Sequence, residues 1–254
     1  MISIAEFQDP FGLVKQCGGY YKCPKSPCGK RLGPVVGYAT TYEEGKQWVG
    51  DEYINFAKVE KQAIALDFVA DKLVCTLLAR EDISGELTDN VVFCGAPEGG
   101  KALAVAISQM LKKKRAQYIF PEKKVIALKT KISREVSELV FDRHVPEKGD
   151  RCWIVEDICN NFGTTAKLIA LIEKYGAHVL GILCFLNRSP EFDRLFVPVI
   201  GDGLPCWPVI SCVRKIIPEY KQDDPFVAAD IISGNVIWKP KIEWDKLELA
   251  MSRE

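Results

Sequence analysis

The sequence predicts an α/β protein, with a parallel sheet flanked by helices and a small N-terminal lobe. From residue 91 onward, short apolar runs alternate with stretches of helical periodicity, which is typical of β-α-β units. Before residue 55 the chain is rich in Gly, Pro, Tyr and Lys, with only short apolar runs. We therefore expect three parts, which are residues 1–54 as the small lobe, residues 55–215 as the core, and residues 216–254 as a segment packed on either of them.

The core elements follow from local periodicity. In residues 55–80, apolar residues recur about every 3.6 positions, as in a helix with one buried face. The later elements are predicted as a strand at 91–96, a helix at 102–110, a strand at 116–120, two extended stretches within 124–144, a strand at 152–157, a helix at 164–175 and a strand at 178–186. The ligand site of such a sheet is expected at the carboxyl ends of its strands.

Composition narrows the function classes. Thirty-four basic and 34 acidic residues cancel, so no basic surplus indicates a nucleic-acid partner. No apolar run approaches the ~20 residues that span a bilayer, and the N-terminus lacks the features of a secretory signal. We therefore expect a cytoplasmic protein without a disulfide framework. Cys17, Cys23 and Cys28 lack a Cys-x-x-Cys pair, which does not favour a structural zinc site.

Residues 152–165, CWIVEDICNNFGTT, are the most informative segment. The adjacent acids Glu156 and Asp157 follow an apolar strand, and Gly163-Thr164-Thr165 opens a helical pattern. Carboxylates can hold sugar hydroxyls or a metal, while hydroxyls and the N–H groups at a helix N-terminus can hold a phosphate. A single acid in this position would be common among α/β proteins, but two acids followed by Gly-Thr-Thr are more specific.

A second loop, residues 95–101, reads Gly-Ala-Pro-Glu-Gly-Gly-Lys and lies between a strand and a helix. Its glycines permit close approach of the backbone to an anion. The loop also fits most of a Walker A pattern, but Ala102 stands where that pattern has the Ser or Thr that binds magnesium. A P-loop nucleotidase is therefore not favoured, whereas a glycine-rich turn without a ligand stays an alternative for this loop alone.

Residues 152–165 resemble the phosphoribosyl diphosphate motif of the type I phosphoribosyltransferases, and residues 95–100 resemble the diphosphate-binding loop of that family. The resemblance implies transfer of a phosphoribosyl group from phosphoribosyl diphosphate to a base. It also implies magnesium, held mainly by diphosphate, ribose hydroxyls and water rather than by the protein. The N-terminal lobe would be the family's hood over the base, and a homodimer is implied as well.

By the same resemblance, Glu156 and Asp157 would hold the ribose hydroxyls, with Asp157 nearest the reacting centre. The residues expected to wrap the ribose phosphate are Cys159, Asn160, Asn161, Phe162, Gly163, Thr164 and Thr165. The residues expected to face the diphosphate are Gly95, Ala96, Pro97, Glu98, Gly99 and Gly100.

Three further segments resemble the orotate branch of this family. The segment 51–57 contributes Tyr53 and Asn55, and residues 186–188 end in Arg188, which matches an arginine that contacts the orotate carboxylate. A surface arginine at a strand end is the alternative. Residues 120–124 lie where the mobile catalytic loop begins, with Lys123 as the better match for a diphosphate lysine and Lys124 as the second candidate.

The sequence also departs from that pattern. Pro121 and Glu122 stand where an arginine is expected, and no glycine-rich Lys-x-His-Gly run follows, so Arg143 and His144 are candidates for a cation and a proton-transfer group. An ordinary surface histidine is the alternative for His144. The candidates for a missing orotate-contacting lysine of the N-terminal region are Lys30, Arg31 and Lys58.

The sequence thus predicts a magnesium-dependent phosphoribosyltransferase that converts orotate to orotidylate. The alternatives are the same chemistry on a purine or another base, and a non-catalytic regulator that binds phosphoribosyl diphosphate.

Overall fold

The computed structural model describes residues 9–84, 89–127, 136–189, 194–196 and 206–252. The chain forms two compact units, one of Met1–Leu13 with Glu60–Lys215 and one of Val14–Val59 with Ile216–Glu254. The C-terminal segment thus shares a unit with residues 14–59. Whether residues 1–54 and 55–215 are separate domains stays a prediction.

The elements of the described residues are numbered in chain order. The helices are α1 Pro10–Gln16, α2 Ala57–Glu60, α3 Ala63–Leu78, α4 Glu81–Ser84, α5 Gly100–Met110, α6 Gly163–Lys174, α7 Ala228–Ile232 and α8 Trp244–Met251. The strands are β1 Tyr20–Lys22, β2 Val35–Glu43, β3 Lys46–Gly50, β4 Glu52–Ile54, β5 Val92–Gly95, β6 Gln117–Ile119, β7 Glu122–Ala127, β8 Val136–Val140, β9 Arg151–Cys159, β10 His178–Asn187, β11 Arg194–Phe196, β12 Cys206–Arg214 and β13 Val236–Ile237.

The first unit is built on a six-stranded sheet in the order β11-β12-β10-β9-β5-β6. Strands β12, β10, β9, β5 and β6 are parallel, and β11 is antiparallel to β12. The predicted fold class, a parallel sheet flanked by helices, is confirmed. The chain leaves β5 through α5 toward β6 on one side and leaves β9 through α6 toward β10 on the other. Ligands of such sheets bind at this switch point, between β5 and β9.

Strand β9 is the centre of the core because four consecutive residues near its start, Cys152 to Val155, are apolar and buried. Trp153, Ile154 and Val155 are completely buried. Helix α6 packs its apolar residues Leu168 and Ile172 into the same cluster as Ile154. Helices α3 and α5 contact each other and the sheet.

The predicted helices and strands of the core lie within two residues of the observed ones, apart from the helix at 55–80 and the bounds of the stretches within 124–144. The helix predicted at 55–80 is two helices, α2 and α3, because Gln62 has an extended backbone between them. The two extended stretches predicted within 124–144 form the antiparallel hairpin β7–β8. The stretch 125–130 is described only to Ala127, and its remainder lies outside the described residues.

The second unit has a three-stranded sheet, β13-β2-β3, and a strand pair, β1-β4. Strand β13 pairs parallel with β2, which ties the C-terminal segment to the N-terminal one. Arg31 does the same with side chains, since its guanidinium donates to Asp51 Oδ1 at 2.7 Å and to Asp230 Oδ2 at 3.0 Å. None of the helices described in either unit is long and apolar enough to cross a membrane.

Candidate active site

The two acids of the motif lie in the part of β9 that extends beyond its neighbour β5 but is still paired with its other neighbour, β10. Strand β5 ends at Gly95, which pairs with Val155, and the Ala96 N–H donates to the Val155 carbonyl at 2.8 Å. On the other side, β10 pairs with β9 as far as Cys159. The prediction that Glu156 and Asp157 end the strand is therefore wrong, because pairing with β10 extends β9 to Cys159. They nevertheless lie just beyond β5, at the switch point.

The glycine loop between β5 and α5 is packed directly on Asp157. A Cβ atom added to Gly99 would meet the Asp157 carboxylate and would lie 2.8 Å from the Asp157 Cβ, and one added to Gly100 would lie 2.9 Å from the Val155 carbonyl carbon. Such spacing excludes any side chain at these positions, so glycine is required by the close approach of two backbones. Asp157 Oδ1 also accepts a hydrogen bond from its neighbour Ile158 N–H at 2.8 Å. The predicted acid and the predicted diphosphate loop are thus in contact.

Glu156 projects from the opposite face of the sheet, because successive strand residues alternate. It shares its face with Ile154 and therefore lies on the α6 side, where it is only 7% exposed. Burial, the neighbouring Cys152 thiol and the Glu156 carboxylate together raise the pKa of the Cys94 thiol. Of the two acids, Asp157 is the one that shares a face with the glycine loop. A role of Glu156 at the ribose stays a prediction.

The segment after β9 turns sharply into α6. Phe162 adopts a left-handed backbone with φ of 54°. The Asn161 side chain accepts a hydrogen bond from the Gly163 N–H at 3.1 Å, and the Ala166 N–H donates to the Phe162 carbonyl at 2.8 Å. Thr164 is exposed in the first turn of α6, and it remains the candidate for a hydroxyl that holds phosphate.

Some residues predicted to line the ligand have side chains inside the core. These are Ala96, Cys159, Phe162 and Thr165, all of which are buried. The Ala96 N–H already donates to the Val155 carbonyl, so a ligand contact through a backbone N–H is open only to the other three. Pro97, Glu98 and Asn160 are partly or fully exposed, and the Pro97–Glu98 peptide bond is cis.

Lys123 and Lys124 lie within β7, where Lys123 pairs with Leu139 and Lys124 with Glu138. Lys123 lines a cavity of about 600 Å³ between the β7–β8 hairpin and α6, and Thr164 lines the same cavity. Of the two lysines, Lys123 is the one that lines this cavity, which extends along α6 from Thr164 to Lys174. Residues 128–135, which would form most of the predicted catalytic loop, lie outside the described residues.

His144 is held in an aromatic cluster at the end of β6. Its ring packs edge-on against Phe120 at 5.2 Å and against Tyr118 at 6.0 Å between ring centroids. Its Nδ1 atom is buried and has no hydrogen-bond partner among the residues that the structure describes. His144 is partly buried by these ring contacts, and its role as a proton-transfer group stays a prediction. The neighbouring Arg143 is exposed.

Lys101 is a candidate that the sequence analysis did not assign. Its ammonium lies 5.3 Å from the centroid of Phe120 and 3.7 Å from Glu98 Oε1. It therefore connects the glycine loop with the aromatic cluster around His144. The feature of the sequence that could have identified Lys101 is its position directly after Gly100, at the start of a helix that follows a strand.

Arg188 follows β10, and its N–H donates to the Cys159 carbonyl at 2.9 Å. The arginine is thereby tied to the strand that carries the two acids. It is only 8% exposed, so the alternative of a surface arginine is wrong. Arg214, at the end of the neighbouring strand β12, was not predicted as a site residue.

The remaining predicted residues belong to the second unit. Tyr53 packs against Trp244 at 6.3 Å between ring centroids, and Lys58 donates to Glu248 Oε1 at 3.1 Å. Asn55 is buried, and its N–H donates to the Gly19 carbonyl at 2.8 Å. Arg31 is committed to its two carboxylates, which argues against a role as a base-contacting cation, whereas Lys30 is exposed.

Within the described ranges, no three His, Cys, Asp or Glu side chains are arranged to hold a metal ion. The Asp157 carboxylate is a hard oxygen donor, which suits magnesium. The expectation that magnesium is held mainly by diphosphate, ribose hydroxyls and water stays a prediction.

No protein-family model matches the sequence, and no curated protein matches it. Three solved structures illustrate what the chain is similar to. Orotate phosphoribosyltransferase from Aeropyrum pernix is 18% identical with a TM-score of 0.48, covering 80% of this chain and 92% of that one. UMP synthase from Leishmania donovani is 14% identical with a TM-score of 0.48, covering 96% and 42%. Adenine phosphoribosyltransferase from Rhodothermus marinus is 16% identical with a TM-score of 0.43, covering 67% and 94%.

This chain thus spans less than half the length of the UMP synthase.

Proposed function

We propose that this chain is a magnesium-dependent phosphoribosyltransferase that transfers the phosphoribosyl group of phosphoribosyl diphosphate to orotate, giving orotidylate and diphosphate. The observation that supports this most is the packing of the glycine loop on Asp157 at the switch point of the sheet. An amide-rich turn suits an anion, and a carboxylate suits sugar hydroxyls. A ligand that carries both groups would contact both features at once.

The first turn of α6 supplies the second phosphate site. Thr164 is exposed in the first turn of this helix, where the helix dipole favours an anion. The ribose phosphate is assigned to this turn and the diphosphate to the glycine loop. The sugar between them would lie next to Asp157.

The charges of the site suit the reaction. Departure of diphosphate leaves positive charge on the ribose, which the Asp157 carboxylate would stabilise, and builds negative charge on the leaving group. Lys101 lies beside the glycine loop, and Lys123 lines the same cavity as Thr164. These observations support a role of both cations in neutralising the phosphate groups. Bound magnesium would supply further positive charge at the diphosphate.

Orotate is the proposed base because Arg188 is nearly buried beside Cys159, close in sequence to the acids. A guanidinium binds a carboxylate through two parallel hydrogen bonds. Orotate carries such a carboxylate, whereas uracil and the purine bases do not. We also expect a homodimer, which sedimentation of the purified protein would test.

The test is a substrate panel with purified protein, magnesium and phosphoribosyl diphosphate. Orotate, uracil, adenine, hypoxanthine and guanine are compared by release of diphosphate. Of the five bases, we expect only orotate to give release of diphosphate. Release with a purine alone would reject the proposed base, and no release with any base would reject the proposed activity.

The matched variants are Asp157→Asn and Asp142→Asn, the second on an exposed acid after β8. Asp157→Asn should lower kcat about 100-fold or more, the usual scale for loss of one electrostatic group at a reacting centre. Asp142→Asn should behave as the wild type. Near-normal turnover in Asp157→Asn would remove the assigned role of that carboxylate.

A further inference from the structure

Asn187 joins the ends of three neighbouring parallel strands. It is the last residue of β10 and pairs with Cys159 of β9 on one side and with Arg214 of β12 on the other. Its side chain is completely buried. A buried amide in such a place is retained when its hydrogen bonds hold a defined geometry.

The hydrogen bonds of Asn187 hold the backbone on both sides of Arg188. Its side-chain Oδ1 accepts from the Ser189 N–H at 3.1 Å and from the Ser189 hydroxyl at 2.7 Å. Its carbonyl accepts from Arg214 Nη1 at 3.1 Å and from the Lys215 N–H at 3.1 Å. The Arg188 N–H itself donates to Cys159. The backbone that presents Arg188 is therefore fixed from β9, from β12 and from its own turn.

We propose that Arg214 is a positioning residue that sets the direction of the Arg188 guanidinium through the Asn187 carbonyl. This inference rests on the proposed function, in which Arg188 binds the carboxylate of the base. Two-point recognition of a carboxylate requires an oriented guanidinium. A displacement of about 1 Å in a positioned group can cost on the order of 100-fold in rate or affinity. Arg214 thus contributes to selection of acceptors that carry a carboxylate, without contact to the reacting atoms.

Arg214→Met tests this role, because methionine keeps much of the apolar stem and removes the donor. The KM for orotate should rise about tenfold or more, while kcat and the KM for phosphoribosyl diphosphate change less than about threefold. The preference for orotate over uracil should fall by a similar factor. A uniform change in all three constants would indicate a purely structural role and would overturn the proposal.

A double-mutant cycle that combines Arg214→Met with Arg188→Met gives the decisive test. If Arg214 acts through Arg188, then Arg214→Met should add almost nothing to the defect of Arg188→Met. Independent, multiplying defects would overturn the proposal. Arg214→Lys keeps a donor and should recover part of the orotate affinity, so its rise in the KM for orotate should be smaller than that of Arg214→Met. If the circular dichroism melting curve shows that Arg214→Met does not fold, Arg214→Lys alone must show a selective rise in the KM for orotate.

Arg115→Met is the matched control, since Arg115 is exposed after α5. It should leave all three constants unchanged. A failure of the proposed function would be recognised separately, because the wild type would then fail to release diphosphate with any of the five bases. If the wild type is active and Arg214→Met shows no selective rise in the KM for orotate, the positioning role is rejected while the proposed function stands.

Discussion

Substitution of Gly99 by alanine is the sharpest test of the contact between the glycine loop and Asp157. The added methyl group would overlap the Asp157 carboxylate and would lie 2.8 Å from the Asp157 Cβ, well inside the distance that two carbon atoms tolerate. Asp157 cannot swing away at no cost, because its Oδ1 accepts the Ile158 N–H bond. Either the loop or the acid must therefore move, by about 1 Å. We expect a loss of about 1–3 kcal/mol in the free energy of unfolding, as for other overpacked sites.

The catalytic effect should exceed the effect on stability. A shift of about 1 Å between the loop and the carboxylate can lower kcat/KM about 100-fold. The assay is diphosphate release with orotate, alongside urea unfolding of the same preparation. Gly12→Ala is the matched control, because its added methyl group also meets an aspartate, Asp9, but one that is exposed. We expect near wild-type values for that variant.

The source of the Gly99→Ala defect can be isolated with Asp157→Ala. Shortening the acid removes the overlapping carboxylate, so Gly99→Ala should cost less stability in the Asp157→Ala background than in the wild type. A coupling free energy of at least about 0.5 kcal/mol is expected for groups in contact. Wild-type stability and turnover in Gly99→Ala would refute the packing on which the proposed site depends.

Three further predictions concern stability and reactivity. Burial alone would raise the pKa of Asp51, but hydrogen bonds from Arg31 and Lys25 lower it overall, so its stabilising contribution is complete above about pH 4 and is lost as the pH falls further. Arg31→Met should therefore lower the free energy of unfolding by about 3 kcal/mol at pH 7. In urea unfolding, the difference between this variant and the wild type should shrink below pH 4. A difference that stays constant with pH would argue against this ion pair. Gly181→Ala should lose about 1–3 kcal/mol of unfolding free energy, because its methyl group would meet the ring of Trp153 and the Pro208 carbonyl oxygen at 2.9 Å; unchanged melting would contradict that packing. The hydrogen bond with Ser26 lowers the pKa of the exposed Cys28 thiol, whereas burial raises the pKa of Cys152 to about 12, so iodoacetamide at pH 7.5 should modify Cys28 first by mass spectrometry, and Cys28→Ser should remove the fast phase.

Much of the core could be predicted from local patterns. The apolar run that forms β9 and the 3.6-residue period of α6 depend on residues close together in the chain, so their lengths and types are legible without the fold. The same holds for the glycine loop and for Thr164, because a turn between a strand and a helix is recognised by its residue types. These features were sufficient to predict the parallel sheet, and the ligand site at its carboxyl edge stays a prediction.

Other properties of the site depended on contacts between distant residues. The extension of β9 past Asp157 follows from its pairing with β10, and the burial of Glu156 follows from the face on which α6 packs. No periodicity within residues 152–165 indicates either one.

The sequence by itself determined the chemistry available at the strand ends, namely acids, glycines, hydroxyls and cations in order along the chain. Only the tertiary structure decided that Gly99 touches Asp157, that Arg31 is committed to Asp51 and Asp230, and that Arg214 holds the strand end before Arg188. The physical reason is that residue type and spacing act over one or two turns of chain. Burial and pairing are instead set by which surfaces meet after the whole sheet has formed.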